Sequence, residues 1–498
     1  MTSDSYILAI DQGTSGTKTV IFNAQGEIVT RATEPLKSYF PRPGYVEQDP
    51  LEVYRNVLSS LEACLKDFTT RASGDLKDVT CCGISNQRET FVLWDASGRP
   101  LSNAVVWQCK RSVEICNRLK GTELENQVRD RTGLIIDPYF SGTKLIWLYE
   151  NDAKIKNAVD AGQAYFGTID TWLLFKLTDG QCYFADHTNA SRTLFFNIND
   201  LQWDKYLLDK FKLSNLNLPE VQPSSYSYGQ SDFEGLLPDK INISAMIGDS
   251  HAAAFGEGCL WPGMAKATMG TGSSILLNTG SKRIKSQEGM VATICWSMPE
   301  RVDYALEGII VTCGATINWL RDRMGLFAES KQTEQMALSV EDNHGVYLVP
   351  AFSGLGAPHW KMDAKAAILG LTFGCDKNHV VRAALESIPY QIKDVIAAME
   401  RDSKIKLKEL RVDGGITANK FIMQFLADLL KTKVVNIGLE EVSALGAAYL
   451  AGLQEGIFRD IGQLVSLNDD KRKFSPGPDA EKVHIFYEGW KKAVQKFT

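Results

Sequence analysis

Two short turns rich in glycine and hydroxyl side chains, Gly13-Thr14-Ser15-Gly16-Thr17 and Gly270-Thr271-Gly272-Ser273-Ser274, do most to limit what this chain can fold into. Each is entered by an apolar, strand-like run (6–10 and 265–269) and left by another (18–22 and 275–277). A turn of this kind lets the backbone approach a phosphate, and Thr or Ser adds hydroxyl donors. Such turns equally suit plain hairpins. Neither has the GxxxxGK[ST] of a P-loop or the GxGxxG of a dinucleotide site. Their recurrence reads as an internal duplication.

Length supports that reading. The chain has 498 residues, more than the roughly 250–300 that one hydrophobic core serves, so two domains are expected. The division is placed between 1–254 and 255–498, where Gly256, Gly258, Pro262 and Gly263 loosen the chain. A formal net charge of −6 provides no basic face for nucleic acid. No apolar run reaches the roughly 18–20 residues of a membrane helix, so no membrane span is expected. The N-terminal stretch 1–16 is broken at Asp11 and lacks the basic flank of a signal peptide. The ten cysteines show no metal-type spacing and read as reduced residues of a cytoplasmic protein.

The runs 6–10, 18–22 and 27–33 predict a β-meander. Asp49 as N-cap and Pro50 in the first turn then open a helix, with Tyr54, Val57, Leu58, Leu61, Leu65 and Phe68 on its inner face. Strands follow at 79–85, 91–94 and 104–107, and later at 304–311 and 410–412. A helix over 483–498 turns Phe486, Tyr487, Trp490 and Val494 inward. Strands alternating with helices point to an α/β architecture.

Several polar residues stand where such folds do chemistry. Asp11 ends an apolar strand before the first turn, placed to hold magnesium through water or to cap the hairpin. Lys18 on the return strand can neutralise a phosphoryl oxygen or simply face outward. Asp249 follows an apolar run and precedes a small-residue helix, placed as a general base or as an N-cap. Its neighbour His251 reads as a packed, hydrogen-bonded histidine or a catalytic one. Arg88 and Glu89, side by side in the block 86–90, offer donors and acceptors that match a diol, or make a polar turn. Trp107 and Tyr139 suit flat apolar walls or a core. Asp413-Gly414-Gly415 makes a strand–helix turn a base or ribose can approach. Asn419 beyond it reads as a nucleotide contact or as an N-cap.

Taken in order, these segments resemble the FGGY carbohydrate kinases over about residues 6–452. Residues 139–151 (YFSGTKLIWLYEN) fit the first family signature, and 366–371 (AAILGL) followed by 379–386 (HVVRAALE) fit the second. The blocks 86–90 (NQRET), 106–111 (VWQCKR), 137–144 (DPYFSGTK), 189–193 (NASRT) and 304–308 (YALEG) resemble the members that phosphorylate glycerol.

The resemblance implies a duplicated actin-like ATPase (ribonuclease H-like) α/β fold of two domains with the active site in the cleft between them. The first domain would bind polyol and phosphate, the second the nucleotide. It implies ATP and Mg2+ as cofactors, a homo-oligomer (dimer or tetramer), and ATP-dependent phosphorylation of glycerol to sn-glycerol 3-phosphate. It places Thr14, Ser15, Gly16 and Lys18 on the phosphates, and Thr271, Gly314, Asn318, Gly415 and Asn419 at the nucleotide. Arg88, Glu89, Tyr139, Asp249 and Ser250 fall on the polyol with Trp107 as an apolar wall. Asp249 becomes the general base, and Asp11 with Asp249 organises the metal.

The chain departs from the family in three places. Gly248-Asp249-Ser250-His251 stands where most of the glycerol-phosphorylating members have Gly-Asp-Gln-Gln. Ser274 takes the place of a large aromatic, and Lys18 that of an arginine. The two serines shorten two walls of the pocket, which leaves another short polyol or ketose (erythritol, xylulose, dihydroxyacetone) as the alternative substrate. A more distant alternative is a non-enzymatic actin-like ATPase module. Arg88 and Glu89 with Trp107 and Tyr139 speak against it, since such a module needs no second small-ligand pocket. Residues 226–237 lack the Gly-Gly-then-Arg regulatory loop of some members, so control by a sugar bisphosphate is not expected.

Overall fold

The computed structural model describes residues 5–361, 363–438, 441–467 and 472–497. Residues 1–4 of the N-terminal stretch and Thr498, the expected end of the last helix, lie outside the described residues. Two compact units emerge. The first comprises Met1–Gly258, Ala292–Tyr304 and Glu441–Leu467, and the second Cys259–Val291, Ala305–Glu440 and Asn468–Thr498. The chain therefore re-enters the first unit twice, which a single cut at 254/255 does not express.

In the first unit β1 (Tyr6–Gln12), β2 (Gly16–Phe22), β3 (Ile28–Pro35), β4 (Val79–Asn86), β5 (Ser225–Ser231) and β6 (Ile241–Gly248) form one sheet in the order β5-β6-β4-β1-β2-β3. The first three are the antiparallel meander read from the sequence. β4 lies parallel to β1, and β6 parallel to β4. Ile7, Leu8, Ala9 and Ile10 are all fully buried, because both faces of the sheet are covered. The helix Pro50–Thr70, capped by Asp49 as expected, packs on β2 and β3. The helix Val442–Gln454 packs on β1, β4 and β6.

Val442–Gln454 also packs against the helix Asp249–Gly256, and small residues set how closely. A Cβ on Gly446 would lie 1.9 Å from the carbonyl of Ala252, and one on Gly256 2.5 Å from that of Val442. These two glycines let the backbones touch, which fixes the helix that begins with Asp249 against the sheet.

In the second unit β7 (Met264–Met269), β8 (Ser273–Gly280), β9 (Arg301–Ile310, of which residues from 305 on belong here), β10 (Glu409–Asp413), β11 (Lys433–Asn436) and β12 (Arg472–Phe474) follow the order β9-β8-β7-β10-β11-β12. β7 is antiparallel to β8 and parallel to β10, β10 is parallel to β11, and β12 closes the edge antiparallel. From the β1–β2 hairpin through β4 and β6 to an antiparallel edge strand, the first unit has the same pattern. The duplication suggested by two short turns thus extends to whole sheets.

Three details differ from the sequence reading. The strand expected at 104–107 is only Ala104–Val105, because the Trp107 amide donates to the Thr90 hydroxyl (3.1 Å) instead of a neighbouring strand. The helix expected after the turn Asp413-Gly414-Gly415 starts only at Lys420, beyond a 3-10 turn over Gly415–Ala418. The last helix is Ala480–Val494, burying Val483, Tyr487, Trp490 and Val494 but not Phe486 fully. None of the ten cysteines, all of them among the described residues, is in a disulfide. Among the described residues no helix is long and apolar enough to cross a membrane.

Candidate active site

Strand register gathers the candidates of the first unit. Asp11 pairs with Ser85 across β1 and β4, and Asn86 pairs with Gly248 across β4 and β6. The carboxyl ends of three parallel strands thus deliver Asp11, the segment Arg88-Glu89, and Asp249. Open α/β sheets bind ligands at such ends.

Gly248 is the N-cap of its helix, so Asp249 is the first helical residue and not the cap. Its Oδ1 accepts from the Ser250 amide (2.6 Å) and lies 3.3 Å from Arg88 Nε. The Asp249 side chain is 40% exposed, whereas that of Arg88 is 5% exposed. A buried guanidinium therefore holds a carboxylate that faces solvent. Ser250 is itself buried. His251 is fully buried and near Thr293 Oγ1 (3.5 Å), which is the packed alternative.

Asp11 does not cap the hairpin. It sits opposite Lys18 in the ladder and accepts from the Ser85 hydroxyl (2.9 Å). Burial and the neighbouring Asp249 carboxylate push its carboxyl up to about 6, against the pull of Ser85 and Lys18. Among the described residues no group of three or more His, Cys, Asp or Glu could hold a metal directly. Two repelling carboxylates are instead the donor set of a water-rich magnesium site, which uses one or two carboxylates and completes its shell with water and phosphate. The residues present fit that ion.

The first glycine turn is closed by Gly13 N donating to Gly16 O (2.9 Å). A Cβ on Gly16 would lie 2.8 Å from the Glu34 carbonyl, so this position admits glycine alone. Ser15 at the tip is exposed. Thr14 is fixed at two points, its hydroxyl accepting from Trp107 Nε1 (2.8 Å) and its carbonyl from Gln48 Nε2 (2.7 Å). Lys18 is paired with Glu441 (2.7 Å), whose other oxygen lies 3.4 Å from Arg31. Glu441 lies 423 residues away, and nothing local in the sequence signals the contact.

Glu89 adopts φ 62°, a left-handed conformation that costs a non-glycine residue about 1–3 kcal/mol. It is held there by Ser141 Oγ on its carbonyl (2.8 Å) and by a fully buried ion pair with Arg192 (2.6 Å). This is not a solvated polar turn. Trp107 and Tyr139 meet edge to face at 5.5 Å. Beneath them the fully buried Lys144 donates to the carbonyls of Tyr139 (2.6 Å), Pro138 (2.9 Å) and Trp107 (3.4 Å). Lys144 and Arg192 lie inside sequence blocks that resemble the family, yet their partners are distant loops, which periodicity does not reveal.

In the second unit, the turn 270–274 packs on the start of the helix Ala315–Asp322. Gly314 N donates to Gly270 O (2.9 Å), and Cys313 N to Thr271 O (2.8 Å). Gly414, at φ 93°, lies against Met269, where a Cβ would stand 2.5 Å from its carbonyl. Thr271, Gly314 and Gly415 thus gather where β7, β8 and β10 meet loops. Thr271 and Asn318 are exposed, and a Cβ on Gly415 would meet nothing within 4 Å. Asn419 takes the capping alternative: its side chain accepts from Ile422 N and donates to Thr333 Oγ1 (3.2 Å). Ser274 Oγ is bonded to Glu307 (3.1 Å).

Comparison with known proteins adds independent findings. Residues 6–256 match the family model "FGGY family of carbohydrate kinases, N-terminal domain", and 265–455 match that of the C-terminal domain. The chain is similar to a glycerol kinase of Salmonella arizonae, 45% identical over 497 residues, covering 100% of this chain and 98% of that protein. Among solved structures it is similar to a Plasmodium falciparum glycerol kinase with ADP, at TM-score 0.92 and 36% identity, covering 99% of this chain and 98% of the other. A gluconate kinase from Lactobacillus acidophilus shares the fold at TM-score 0.88 and 21% identity, covering 99% and 100%.

Proposed function

The chain belongs to the FGGY family of carbohydrate kinases, and from that premise we propose that it transfers the γ-phosphoryl group of ATP to glycerol. The products are sn-glycerol 3-phosphate and ADP. The observation that carries the reading is the half-exposed Asp249 carboxylate, held by buried Arg88 at a sheet end that also carries Asp11.

Asp249 takes the proton of a glycerol hydroxyl as that oxygen bonds to the γ-phosphorus. The bond from the γ-phosphorus to the bridging oxygen breaks, and ADP leaves. Arg88 donates to a glycerol hydroxyl and Glu89 accepts from one, while Trp107 and Tyr139 cover the carbon chain. Ser250 lies beside the base. The turn with Thr14, Ser15 and Gly16 gives phosphates backbone and hydroxyl donors, and Lys18 supplies a cation. Thr271, Gly314, Asn318 and Gly415 take the nucleotide, with Asn419 closing the Gly415 loop. Asp11 and Asp249 would hold Mg2+ through its waters, and the ion would offset the charge that develops on the phosphates.

A panel of glycerol, dihydroxyacetone, erythritol and xylulose, ranked by kcat/KM with ATP, tests the substrate. Glycerol is expected to rank first. A higher value for another of the four would overturn the substrate and leave the reaction type standing.

Lys144 gives this reading a pH signature. Burial pushes its pKa down to about 8, although Glu89, Cys109, Asp137 and Cys116 all favour the cation. With a lowered pKa, the ammonium is present below pH 8 and lost above it. Its bonds to the Trp107 and Tyr139 carbonyls then weaken, so the glycerol KM should rise by about 3–10-fold between pH 7 and 9, the worth of one hydrogen bond. In Lys144→Met the KM should be raised and flat across that range. A wild-type rise that persists unchanged in the variant would contradict the assignment.

A further inference from the structure

Behind the strand ends lies a buried polar cluster with no part in the chemistry above. Asp186, fully buried, caps the short helix His187–Ala190 and accepts five hydrogen bonds. Thr188 N and Ser224 Oγ reach Oδ2 at 2.8 and 2.9 Å. Asn189 N and Nδ2 reach Oδ1 at 2.8 and 2.7 Å. The fifth comes from the Thr188 hydroxyl, 2.8 Å from Oδ2.

Two of these donors pass the contact on to the site. Thr188 Oγ1 also accepts from Gly248 N (2.9 Å), the amide directly before Asp249. Asn189 exchanges two hydrogen bonds with Asn86 (2.9 and 3.0 Å), two residues before Arg88. One carboxylate is therefore bonded, through a single side chain each way, to the last residues of both β4 and β6. Those strands carry the two members of the Arg88–Asp249 pair. A fully satisfied buried network of this kind rigidifies what it touches.

We propose that Asp186 and Thr188 are positioning residues for phosphoryl transfer, setting the spacing between Arg88 and Asp249 through Gly248 and Asn86. The inference rests on Asp249 being the base. Neither residue touches substrate. Small misplacement of a reacting group lowers rate steeply, by as much as about 100-fold for 1 Å.

The test is a double-mutant cycle on the full-length protein, reading kcat and KM together with thermal melting. Thr188→Val keeps the shape and removes the hydroxyl; its kcat should fall by about 10–100-fold. Thr188→Ser, which restores the hydroxyl, should recover kcat to within about threefold of wild type. In an Asp249→Asn background the Thr188→Val change should lower kcat by no more than about twofold, because the group it positions is gone. Asn189→Ala, run in the same cycle, gives the answer even if Thr188→Val does not fold, since it releases Asn86 and leaves Thr188 in place. A purely structural role would lower the melting temperature with kcat unchanged, or lower kcat equally in both backgrounds; either result overturns the proposal. An Asp249→Asn enzyme with full kcat would overturn the base assignment as well, so the two failures are distinguishable.

Discussion

Asp249→Asn is expected to lower kcat by about 10²–10⁴-fold, the usual size of a general-base contribution. Asparagine keeps the size of the side chain and still presents an oxygen to Arg88 and to the Ser250 amide, the two partners seen at 3.3 and 2.6 Å. What it loses is the capacity to take a proton and the charge that it would share with Asp11 toward Mg2+. The fold should persist, because the Asp249 side chain is 40% exposed and the helix is capped by Gly248. Steady-state kinetics beside a melting curve separate the two effects. Near-normal kcat in a folded variant would remove Asp249 from the role of base.

Arg192→Met should be the most destabilising single change near the site, by about 3–5 kcal/mol. The Arg192 and Glu89 side chains are 0% and 1% exposed, and the guanidinium lies 5.1 Å from the centre of the Phe140 ring. Removing the cation breaks a buried ion pair and leaves the Glu89 carboxylate with the more distant Lys144 ammonium as compensation, at a residue already in a left-handed conformation. For a unit of this size the loss corresponds to a fall in Tm of about 5–8 °C. Adding Glu89→Gln should restore most of the stability, because the buried charge is gone. It should not restore the glycerol KM, because a carboxylate acceptor for the polyol is gone too. Recovery of both would show that Glu89 serves the fold alone. No loss of stability in Arg192→Met would contradict the buried ion pair.

What the sequence disclosed follows the range of the interactions involved. The placement of Asp11 and Asp249 at strand ends is legible because each ends an apolar run beside a turn or helix start, a signal a few residues long. The meander, the Asp49 cap and the paired glycine turns are local in the same sense. Alternatives stayed open where one pattern serves two purposes. Asn419 is spaced equally well for a nucleotide contact and for a cap, and its side chain is engaged as a cap. His251 proved to be a packed histidine.

The contacts that hold the site were hidden because they join distant segments. Lys18 meets Glu441, Glu89 meets Arg192, and Asp186 is bonded through Asn189 to Asn86. In each case a polar residue looks like a surface residue until its partner is known. The same holds for Lys144, which is followed in its helix by Leu145, Ile146, Trp147 and Leu148 and whose ammonium is buried against loop carbonyls. The return of residues 441–467 to the first unit follows from an Ala- and Gly-rich helix that fits only against a close backbone.

The most direct measurement follows phosphorus through one reaction. ATP is incubated with the protein and magnesium, with and without glycerol, and ADP, inorganic phosphate and glycerol phosphate are resolved by phosphorus NMR. ADP should form only when glycerol is present, matched by an equal amount of sn-glycerol 3-phosphate with little inorganic phosphate. ADP and inorganic phosphate rising together at the same rate without glycerol, and no phosphorylated polyol, would contradict the account.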